Sequence, residues 1–436
     1  MYYNKLEVNG VADNICDVII PVYNAYEYLK ECINSIADNT KKCDYRLILI
    51  NDKSTDIRIQ KYFENLKKKK TDKIILLDNK KNLGFVKTVN KGMAYSHNDV
   101  ILLNSDTVVT NRWIEKIREA AYTNKAIATV TPLTNNGTIC SVPNFLEDNE
   151  LPSNIELEKY SQMIENLSCN KIIEIPTAVG FCMYIKRSVI NEIGLFDDVN
   201  FGKGYGEEND FCCRCIENGY INVVCTNTFI YHKGDMSFKE DKAKLTKRNL
   251  KVLLKKHPYY NAAIHKFIQN NPLKYIQDSI KLQIEINNSE SIMELREYNN
   301  EASVTIIMVI KDRNKLLKDC MYLIENTVYK NYKILIIDTE SEKIQKSFYI
   351  KSCDIKIELV SYKTGYDNSY SYAFNEISRK INSKYILFLD NLTKPIEPNW
   401  LSDIITSNKG TESIFRFSNG NAEVIKKYRS NKYNVD

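Results

Sequence analysis

The sequence predicts an α/β protein built on a mostly parallel sheet with helices on both faces, in one complete copy followed by a partial one. Between residues 17 and 132, short apolar runs of strand length alternate with segments whose apolar residues recur at helical spacing. A second round of this alternation begins near residue 303. Strand–helix alternation is typical of parallel sheets, and long similar segments within one chain indicate tandem copies of one fold.

Each predicted element of the first copy is an apolar or periodic segment bounded by polar residues. The predicted strands are 17–22, 45–50, 73–77, 100–103 and 126–131, and the predicted helices are 26–37, 58–68, 86–96 and 113–122. Ligands of open parallel sheets bind beyond the carboxyl ends of the strands. The loops that follow these strands are therefore the expected place for binding and catalytic side chains.

The second copy repeats three segments of the first in the same order. The echoed pairs are 19–32 with 307–320, 45–56 with 332–343, and 99–113 with 384–400. The first copy continues past residue 230, whereas the second has only a short segment after Trp400. The second copy is therefore predicted to be incomplete.

Composition and charge exclude several classes of protein. The 436 residues are 43% hydrophobic and 27% charged, which excludes collagen-like, disordered and disulfide-scaffold proteins. A formal net charge of +6, from 61 basic and 55 acidic residues, is too balanced for an electrostatic binder of nucleic acid. The sequence contains no apolar run long enough for a membrane-spanning helix, and its N-terminus lacks the pattern of a signal peptide.

The 12 cysteines are scattered through apolar segments, which favours buried free thiols in a reducing cytoplasm. The local cluster of Cys212, Cys213 and Cys215 matches no usual spacing of a zinc site. A cytoplasmic protein without structural zinc is therefore expected.

Residues 239–300 are predicted to be helical and rich in lysine, and Lys242–Lys256 is both basic and amphipathic. We expect this helix to pack on the first domain with a solvated lysine face. The alternative is peripheral attachment to the anionic inner face of a membrane.

Polar side chains follow the first two predicted strands. Pro21–Asn24 precedes a helix that begins near Tyr26, and a helix N-terminus can sit beside an anionic ligand. Asp52 follows the second strand, where a carboxylate can accept hydrogen bonds from a base or a ribose. The alternative is a helix cap, which is as good an interpretation for Asp56 but a weaker one for Asp52.

Asn104, Ser105 and Asp106 follow the apolar strand 100–103. A carboxylate at the end of a buried strand is costly unless it is paired or bound to a cation. Carboxylate oxygens suit Mg²⁺ or Mn²⁺, and these ions suit diphosphates. A turn is an equally good interpretation, because Asn, Ser, Asp and Thr favour turns.

The acidic segment 204–211 and His232 complete the set of candidates. Glu207, Glu208 and Asp210 open a predicted helix, where the helix dipole favours acidic residues. The functional alternative is a carboxylate that acts as a general base. His232 follows an apolar strand and is a candidate metal ligand, although a single histidine is more often structural.

Taken together, these segments resemble the family 2 glycosyltransferases, which have the Rossmann-like GT-A fold, and in particular the bacterial rhamnosyltransferase-like branch that builds surface glycans. The resemblance covers residues 16 to about 273. The matching stretches, in order, are IIPVYN, LINDKSTD, NLGFVKTVNKG, VILLNSDTVV, ATVTPLTNNGTICSVP, PTAVGFCMYIKRSVINEIGLFD, GKGYGEENDFCCRC, FIYHKGDMSF and LLKKHPYYNAAIHKFIQNNPL.

The resemblance implies a role for each candidate. The residues it implies for the base and ribose pocket are Pro21, Tyr23, Asn24 and Asp52. Those it implies beside the donor diphosphate or sugar are Asn82, Gly84, Lys87, Asn90, Asn104 and Ser105. Asp106 and His232 would hold Mn²⁺ or Mg²⁺, with Asn104 in place of the first acid of the Asp-X-Asp motif. Glu208 would be the catalytic base, with Glu207 and Asp210 as neighbours that orient it or the acceptor.

The implied reaction is inverting transfer of a hexose or deoxyhexose from a UDP- or dTDP-linked donor to an acceptor hydroxyl. The acceptor would be a lipid-linked glycan, a growing polysaccharide or a protein. A pseudoenzyme that binds nucleotide sugars and scaffolds a partner is the alternative, because Asn104 replaces an acid. A dinucleotide-binding enzyme is disfavoured, since glycine is scarce and no glycine-rich loop follows the first strand.

The second copy lacks most of these residues. Leu392 aligns with Asp106 and Val309 with Pro21, and nothing corresponds to the acidic segment or to His232. The predicted domains are a catalytic domain (1–238), a basic helical linker (239–300) and a partial, catalytically silent copy (301–436). The expected role of that copy is packing, homo-oligomerisation or acceptor docking. A fragment of a longer, two-site enzyme is the alternative.

Overall fold

The computed structural model describes residues 15–41, 43–69, 71–168, 170–234, 239–288 and 304–310, and shorter stretches between 320 and 427. The chain divides into two compact units, Met1–Gln277 and Asp278–Asp436. Each unit has its own sheet.

The described part of the first unit is built on one mixed sheet. Its strands are β1 (Cys16–Val22), β2 (Tyr45–Asn51), β3 (Ile74–Asp78), β4 (Asp99–Leu103), β5 (Thr107–Val108), β6 (Ile127–Thr134), β7 (Ile172–Ile175), β8 (Cys182–Ile185) and β9 (Ile221–His232). Their order is β3–β2–β1–β4–β8–β6–β9–β5, with β7 also on β9. Strands β1 to β4 pair in parallel, and β8 is antiparallel to both β4 and β6.

Helices cover both faces of this sheet, and three further helices follow it in the chain, of which the last, α11, crosses the boundary between the units at Gln277. They are α1 (Tyr26–Asn39), α2 (Ile57–Lys68), α3 (Phe85–Tyr95), α4 (Trp113–Tyr122), α5 (Leu157–Leu167), α6 (Arg187–Ile193), α7 (Asp198–Phe201), α8 (Glu207–Glu217), α9 (Lys239–Lys256), α10 (Tyr260–Asn270) and α11 (Lys274–Asn288). One buried cluster contains Leu29 and Trp113, and a second contains Val89 and Phe211. The prediction of a mostly parallel sheet between two helical layers is confirmed.

The first predicted strands and helices form because their apolar residues match the period of the element. Every residue of β1 except Pro21 is buried, as expected for a central parallel strand covered on both faces. In α1, the buried apolar residues Leu29, Ile33 and Ile36 recur at helical spacing. The sequence therefore specifies these elements locally.

The second unit has seven described strands and one described helix of eight residues. These are β10 (Val304–Ile310), β11 (Tyr332–Asp338), β12 (Gln345–Ile350), β13 (Ile355–Ser361), β14 (Tyr385–Leu389), β15 (Ser413–Ser418), β16 (Asn421–Lys427) and α12 (Trp400–Ser407). Their order is β12–β13–β11–β10–β14–β15–β16. The central strands β13–β11–β10–β14 are all parallel and follow the same order as β3–β2–β1–β4.

The two units also have the same strand register, and each contains an equivalent buried hydrogen bond between a tryptophan and a threonine. Cys16 pairs with the first residues of β2 and β4, and Val304 pairs with the first residues of β11 and β14. The Nε1 of Trp113 donates to the Oγ1 of Thr40 at 2.8 Å, and the Nε1 of Trp400 donates to the Oγ1 of Thr327 at 2.9 Å. Both bonds span 73 residues of sequence.

The cysteines that the structure describes are free thiols, and all of them except Cys43 are buried. Among the helices of the described ranges, none has the length and apolar character needed to span a membrane. The helices α9 and α10 belong to the first compact unit.

Thr40→Val keeps the shape of the side chain but removes the oxygen that accepts the indole N–H of Trp113. Because both side chains are buried, we expect the free energy of unfolding to fall by about 1–3 kcal/mol. Urea unfolding followed by the fluorescence of the two tryptophans measures this change. Thr40→Ser keeps the hydroxyl and is the control; equal stability of the two variants would contradict the prediction.

Candidate active site

Three of the predicted loops meet at one edge of the first sheet. Val22 pairs with Asn51 at the ends of β1 and β2, and Ile19 pairs with Leu102 near the end of β4. Because these neighbouring strands are parallel, their carboxyl ends point the same way. The loops that begin at Tyr23, Asp52 and Asn104 therefore lie side by side, as predicted from the sequence.

Asn24 joins the loop after β1 to the loop after β2. It has a left-handed backbone, with φ of 59°. Its Oδ1 accepts from the backbone N–H groups of Thr55 at 2.8 Å and Asp56 at 3.0 Å. The side chain of Asn24 is thus engaged by the protein, whereas the ring of the preceding Tyr23 is 51% exposed and accessible to a ligand. Pro21 is half-buried.

Asp52 holds the loop that precedes α3. It is 4% exposed, and its Oδ1 accepts from the Nδ2 of Asn79 and the N–H of Leu83, each at 2.8 Å. Its Oδ2 accepts from the N–H of Gly84 at 2.9 Å. Protein groups therefore engage both oxygens of Asp52, so that its contribution to a nucleotide pocket would be to shape residues 79–84.

The predicted donor-side residues of α3 and its loop divide into two groups. Asn82 and Lys87 are exposed. Gly84 has φ of +81°, and a Cβ there would lie 3.1 Å from the Cα of Lys203. The amide of Asn90 bonds the carbonyl and the N–H of Phe196, at 2.8 and 3.1 Å. Asn90 therefore fastens α3 to the segment after α6.

Asp106 and His232 come together although they are far apart in the sequence. The Oδ1 of Asp106 lies 3.5 Å from the Nε2 of His232. Strand β5 brings them close, since Thr107 pairs with His232 and the N–H of Lys233 donates to the carbonyl of Asp106 at 3.1 Å. The side chains are 17% and 16% exposed, respectively. Asn104 and Ser105 are half-buried next to them in the chain.

The loop after β6 holds His232 in place. The ring Nδ1 of His232 lies 2.7 Å from the carbonyl oxygen of Asn136. The backbone N–H of His232 donates to the Oδ1 of Asn135 at 2.8 Å. A carbonyl can only accept, so Nδ1 donates its proton to Asn136, while Nε2 faces Asp106. Sequence reasoning did not single out Asn135 and Asn136; the polar pair directly after an apolar strand was the available signal.

Gly180 and Phe181 link this pair to the acidic helix. The Phe181 ring stacks on His232 with centroids 5.4 Å apart, and its carbonyl accepts from the N–H of Asn104 at 2.9 Å. A Cβ on the adjacent Gly180 would lie 4.0 Å from the carboxyl carbon of Glu208. The Asp106–His232 pair and Glu208 therefore border two consecutive residues. Sequence reasoning missed this role of Gly180 and Phe181.

Glu207 and Glu208 are neighbouring acids at the start of α8. Glu208 is half-buried and its Oε2 accepts from the N–H of Gly206 at 3.2 Å, whereas Glu207 is 4% exposed. Burial, and then the charge of Glu208, raise the pKa of Glu207 well above its ordinary value. Burial also raises the pKa of Glu208, against hydrogen bonds from the backbone and from Glu207. This pattern favours a protonated Glu207 beside an ionised Glu208.

Asp210 has different surroundings from these two acids. It is fully buried, with its Oδ2 2.9 Å from the Nε of Arg214. Its Oδ1 lies 2.5 Å from the Nζ of Lys256 and 3.0 Å from the Nε2 of His257. Three basic side chains therefore engage Asp210, which assigns it to the contact between α8 and α9 rather than to the acceptor.

The second unit differs at the equivalent positions. Val309 pairs with Ile337 as Pro21 pairs with Ile50, so register gives the same alignment as the sequence. The predicted counterparts of Asn104 and Asp106 are Asp390 and Leu392, which lie outside the described residues.

Part of the first unit matches a known family. Residues 17–194 match the family model Glycosyl transferase family 2. This stretch begins in β1 and ends after α6, so it contains Asp52 and Asp106 but precedes Glu208 and His232. The similarity to this family therefore covers the part of the α/β sheet from β1 to α6.

Segments of the chain are also similar to curated bacterial proteins. An uncharacterized glycosyltransferase of Haemophilus influenzae is 34% identical over 134 residues, 30% of this chain and 37% of that protein. The glycosyltransferase GlyA of Streptococcus pneumoniae is 32% identical over 110 residues, 24% of this chain and 15% of that one. A poly(ribitol-phosphate) beta-glucosyltransferase of Bacillus spizizenii is 35% identical over 68 residues, 15% and 10% of the two chains. The chain thus spans little more than a third of these relatives at most.

Two solved structures share a distant likeness. GalNAc-T7 with UDP, GalNAc and Mn²⁺ gives a TM-score of 0.42 at 14% identity, covering 63% of this chain and 57% of that one. The mannosyltransferase PcManGT of Pyrobaculum calidifontis, in complex with GDP-Man and Mn²⁺, gives 0.40 at 12% identity, covering 63% and 76%.

Glu207→Gln replaces a buried acid at the start of α8 with a neutral side chain of the same shape. The raised pKa of Glu207 means that folding favours its protonated form. Its contribution to stability is therefore complete below about pH 4, the usual pKa of an unfolded glutamate, and declines as pH rises toward the folded value. We expect the Tm of Glu207→Gln to exceed that of the unmodified protein by an amount that grows from about pH 5 to about pH 8.

Thermal unfolding across this range provides the measurement, and Glu158→Gln, an exposed acid on α5, serves as the control. A Tm difference for Glu207→Gln that stays constant with pH would refute a protonated Glu207.

Proposed function

We propose that the first unit is a family 2 glycosyltransferase. It would transfer a sugar from a UDP- or dTDP-linked donor to an acceptor hydroxyl, with inversion and with Mn²⁺ or Mg²⁺. The observation that carries this proposal is that Asp106–His232 and Glu208 border the same two residues, Gly180 and Phe181. Such a transfer needs charge stabilisation at the diphosphate and a base near the acceptor oxygen. The two groups of side chains offer these two functions next to each other.

Asp106 and His232 fit a divalent cation that is shared with a diphosphate. They offer one carboxylate oxygen and one imidazole nitrogen, and the bond from Nδ1 to Asn136 orients the ring as in protein metal sites. The structure shows no cluster of three or more His, Cys, Asp or Glu ligands among the residues it describes. Diphosphate oxygens and water would complete the coordination. Such an ion supplies positive charge to the leaving diphosphate when it is bound.

Glu208 is the proposed general base. In the transfer, a bond forms between the acceptor oxygen and the anomeric carbon while the bond from that carbon to the phosphate oxygen breaks. The electron pair leaves with the nucleoside diphosphate, and the acceptor's proton passes to Glu208. Its raised pKa makes the carboxylate a stronger base than an exposed glutamate, and the neighbouring protonated Glu207 would keep Glu208 ionised.

The resemblance of the first unit to the rhamnosyltransferase-like branch limits the choice of donor sugar and acceptor. That likeness favours a deoxyhexose or hexose donor and an acceptor in a surface glycan, either lipid-linked or growing, or in a protein. The lysine-rich α9 would be the segment that meets an anionic membrane surface. Lys256 is already paired with Asp197 and Asp210, so it contributes less to such a surface than the sequence suggests.

The alternative of a nucleotide-sugar-binding scaffold rests on Asn104. A neutral amide stands where the family has an acid, which weakens the attraction for a divalent cation. This alternative predicts donor binding without turnover, so that a turnover measurement separates the two.

We also propose that the second unit is a partial, catalytically silent copy of the same fold. Its parallel strands share order and register with β3–β2–β1–β4, and the Trp400–Thr327 bond matches the Trp113–Thr40 bond. Leu392 stands at the position of Asp106 in the aligned sequences. Packing, self-association and acceptor docking are the roles that fit such a unit.

Asp106→Ala and Glu208→Gln test the proposed reaction. A panel of UDP- and dTDP-linked sugars, with and without Mn²⁺, is screened for release of nucleoside diphosphate. We expect each variant to lose about a hundredfold or more in turnover, because one removes a metal ligand and the other a base. Removal of divalent ions by a chelator should have the same effect as Asp106→Ala.

Asp390→Ala in the second unit is the matched control, and we expect it to keep full turnover. Full activity in both first-unit variants would mean that the proposed site is wrong. Donor binding by the unmodified protein without turnover of any donor would favour the scaffold.

A further inference from the structure

Three residues of α9 and the residue that follows it form one surface against the catalytic part of the first unit. Asn249, Leu253 and Lys256 recur at spacings of four and three residues, so their side chains point the same way, and His257 comes directly after the helix. Leu253 is 1% exposed and packs in a cluster with Phe201, while Asn249 and His257 are also buried. Helix α9, which the sequence assigns to a linker, is therefore packed against α7 and α8.

Asn249 holds the loop that leads into α8. Its Nδ2 donates to the carbonyl of Phe201 at 3.0 Å and to the carbonyl of Gly204 at 2.7 Å. Asn249 is fully buried, so water does not compete for these bonds. One amide group thus satisfies two carbonyls of the segment that directly precedes Glu207 and Glu208.

This loop has little conformational preference of its own. Gly202, Gly204, Tyr205 and Gly206 all have positive φ, at 61°, 129°, 70° and 117°. Glycine loses more conformational entropy on folding than other residues, so fixing these three glycines opposes this conformation. Tyr205 is strained at a positive φ. External contacts must therefore select this conformation, and the two bonds from Asn249 are such contacts.

Charged residues of α9 fasten the chain on both sides of the loop. Lys256 lies 2.8 Å from the Oδ2 of Asp197, before the loop, and 2.5 Å from the Oδ1 of Asp210, after it. Although burial opposes it, bonds from Lys256 and Asn200 lower the pKa of Asp197 to about 2. His257 lies 3.0 Å from Asp210 and, through Nδ1, 2.7 Å from Glu217. Helix α9 therefore contacts the ends and the middle of the segment 197–210.

The loop also contacts the proposed donor side. The backbone and side chain of Lys203 lie against Gly84, the residue that precedes α3 and donates to Asp52. Gly206 donates to Glu208. A shift of the loop would therefore move the proposed base and the wall of the donor site together.

We infer that Asn249 is a positioning residue for Glu208, and that α9 is part of the catalytic unit rather than a linker. This inference rests on the proposed role of Glu208. Asn249 acts through the carbonyls of Phe201 and Gly204 and has no contact with substrate. Displacing a reacting group by about 1 Å can cost about a hundredfold in rate.

Asn249→Asp is the main test, because it keeps the shape of the side chain and replaces the donor with an oxygen that repels both carbonyls. In the full chain, with the donor sugar that gives the highest release of nucleoside diphosphate, we expect kcat to fall by about a hundredfold and the KM for the donor to change less than about threefold. Amide hydrogen exchange should speed up in 201–208 and stay unchanged in β1 and β2. Arg248→Ala, an exposed neighbour on α9, is the control and should keep kcat.

Each outcome decides a separate point. A normal kcat in Asn249→Asp, while Glu208→Gln is inactive, would overturn the inference alone, as would a lower Tm without a change in kcat. If Glu208→Gln stays active, the proposed base is wrong. In that case, unchanged amide hydrogen exchange in residues 201–208 of Asn249→Asp would still overturn the proposal that Asn249 holds this loop. If Asn249→Asp does not fold, Lys256→Gln, at a partly exposed position, takes its place. We expect this variant to lose about tenfold in kcat, and a normal kcat would contradict the inference.

Discussion

The contact between Asp106 and His232 is the constraint on which the rest of the site depends. The carboxylate of Asp106 and the imidazole of His232 belong to distant segments of the chain, yet they lie 3.5 Å apart. The sheet achieves this by placing β5 against the end of β9, and Asn135 and Asn136 hold the histidine from the neighbouring loop. Phe181 stacks on the same ring and continues into Gly180 beside Glu208. Removing any of these supports would separate the proposed metal ligands from the proposed base.

The start of α8 shows three ways of keeping an acid in a poorly hydrated place. Glu207 is buried with its pKa raised, so the proton neutralises it. Glu208 remains half-buried, and the backbone hydrogen bonds that it accepts oppose the rise of its pKa on burial. Asp210 is fully buried among Arg214, Lys256 and His257, which balance its charge. Three acids within one helical turn thus serve different purposes, because each has a different local environment.

The two units differ at the place where the first one carries its site. In the first unit, β8 lies antiparallel between β4 and β6, and Phe181 immediately precedes it. In the second, β15 pairs directly and in parallel with β14, so no strand lies between them in the described sheet. The strand that directly follows Gly180 and Phe181 therefore has no counterpart at that position in the described sheet. This difference gives a structural reason for the silent copy that the sequence alignment suggests.

Local sequence determined the strands, the helices and the edge of the sheet at which the site lies, because hydrophobic period and parallel order follow from short segments. It also marked Asp106 and His232 as candidates by their positions after strands, and Glu208 by its place in the acidic start of a predicted helix. Only the tertiary structure decided which of the neighbouring polar residues serve the protein itself. Asp52, Asn90 and Asp210 are held by internal partners, and α9 lies in the first compact unit. The sequence did not reveal these contacts, because hydrogen bonds and ion pairs between distant segments leave no periodic signal in it.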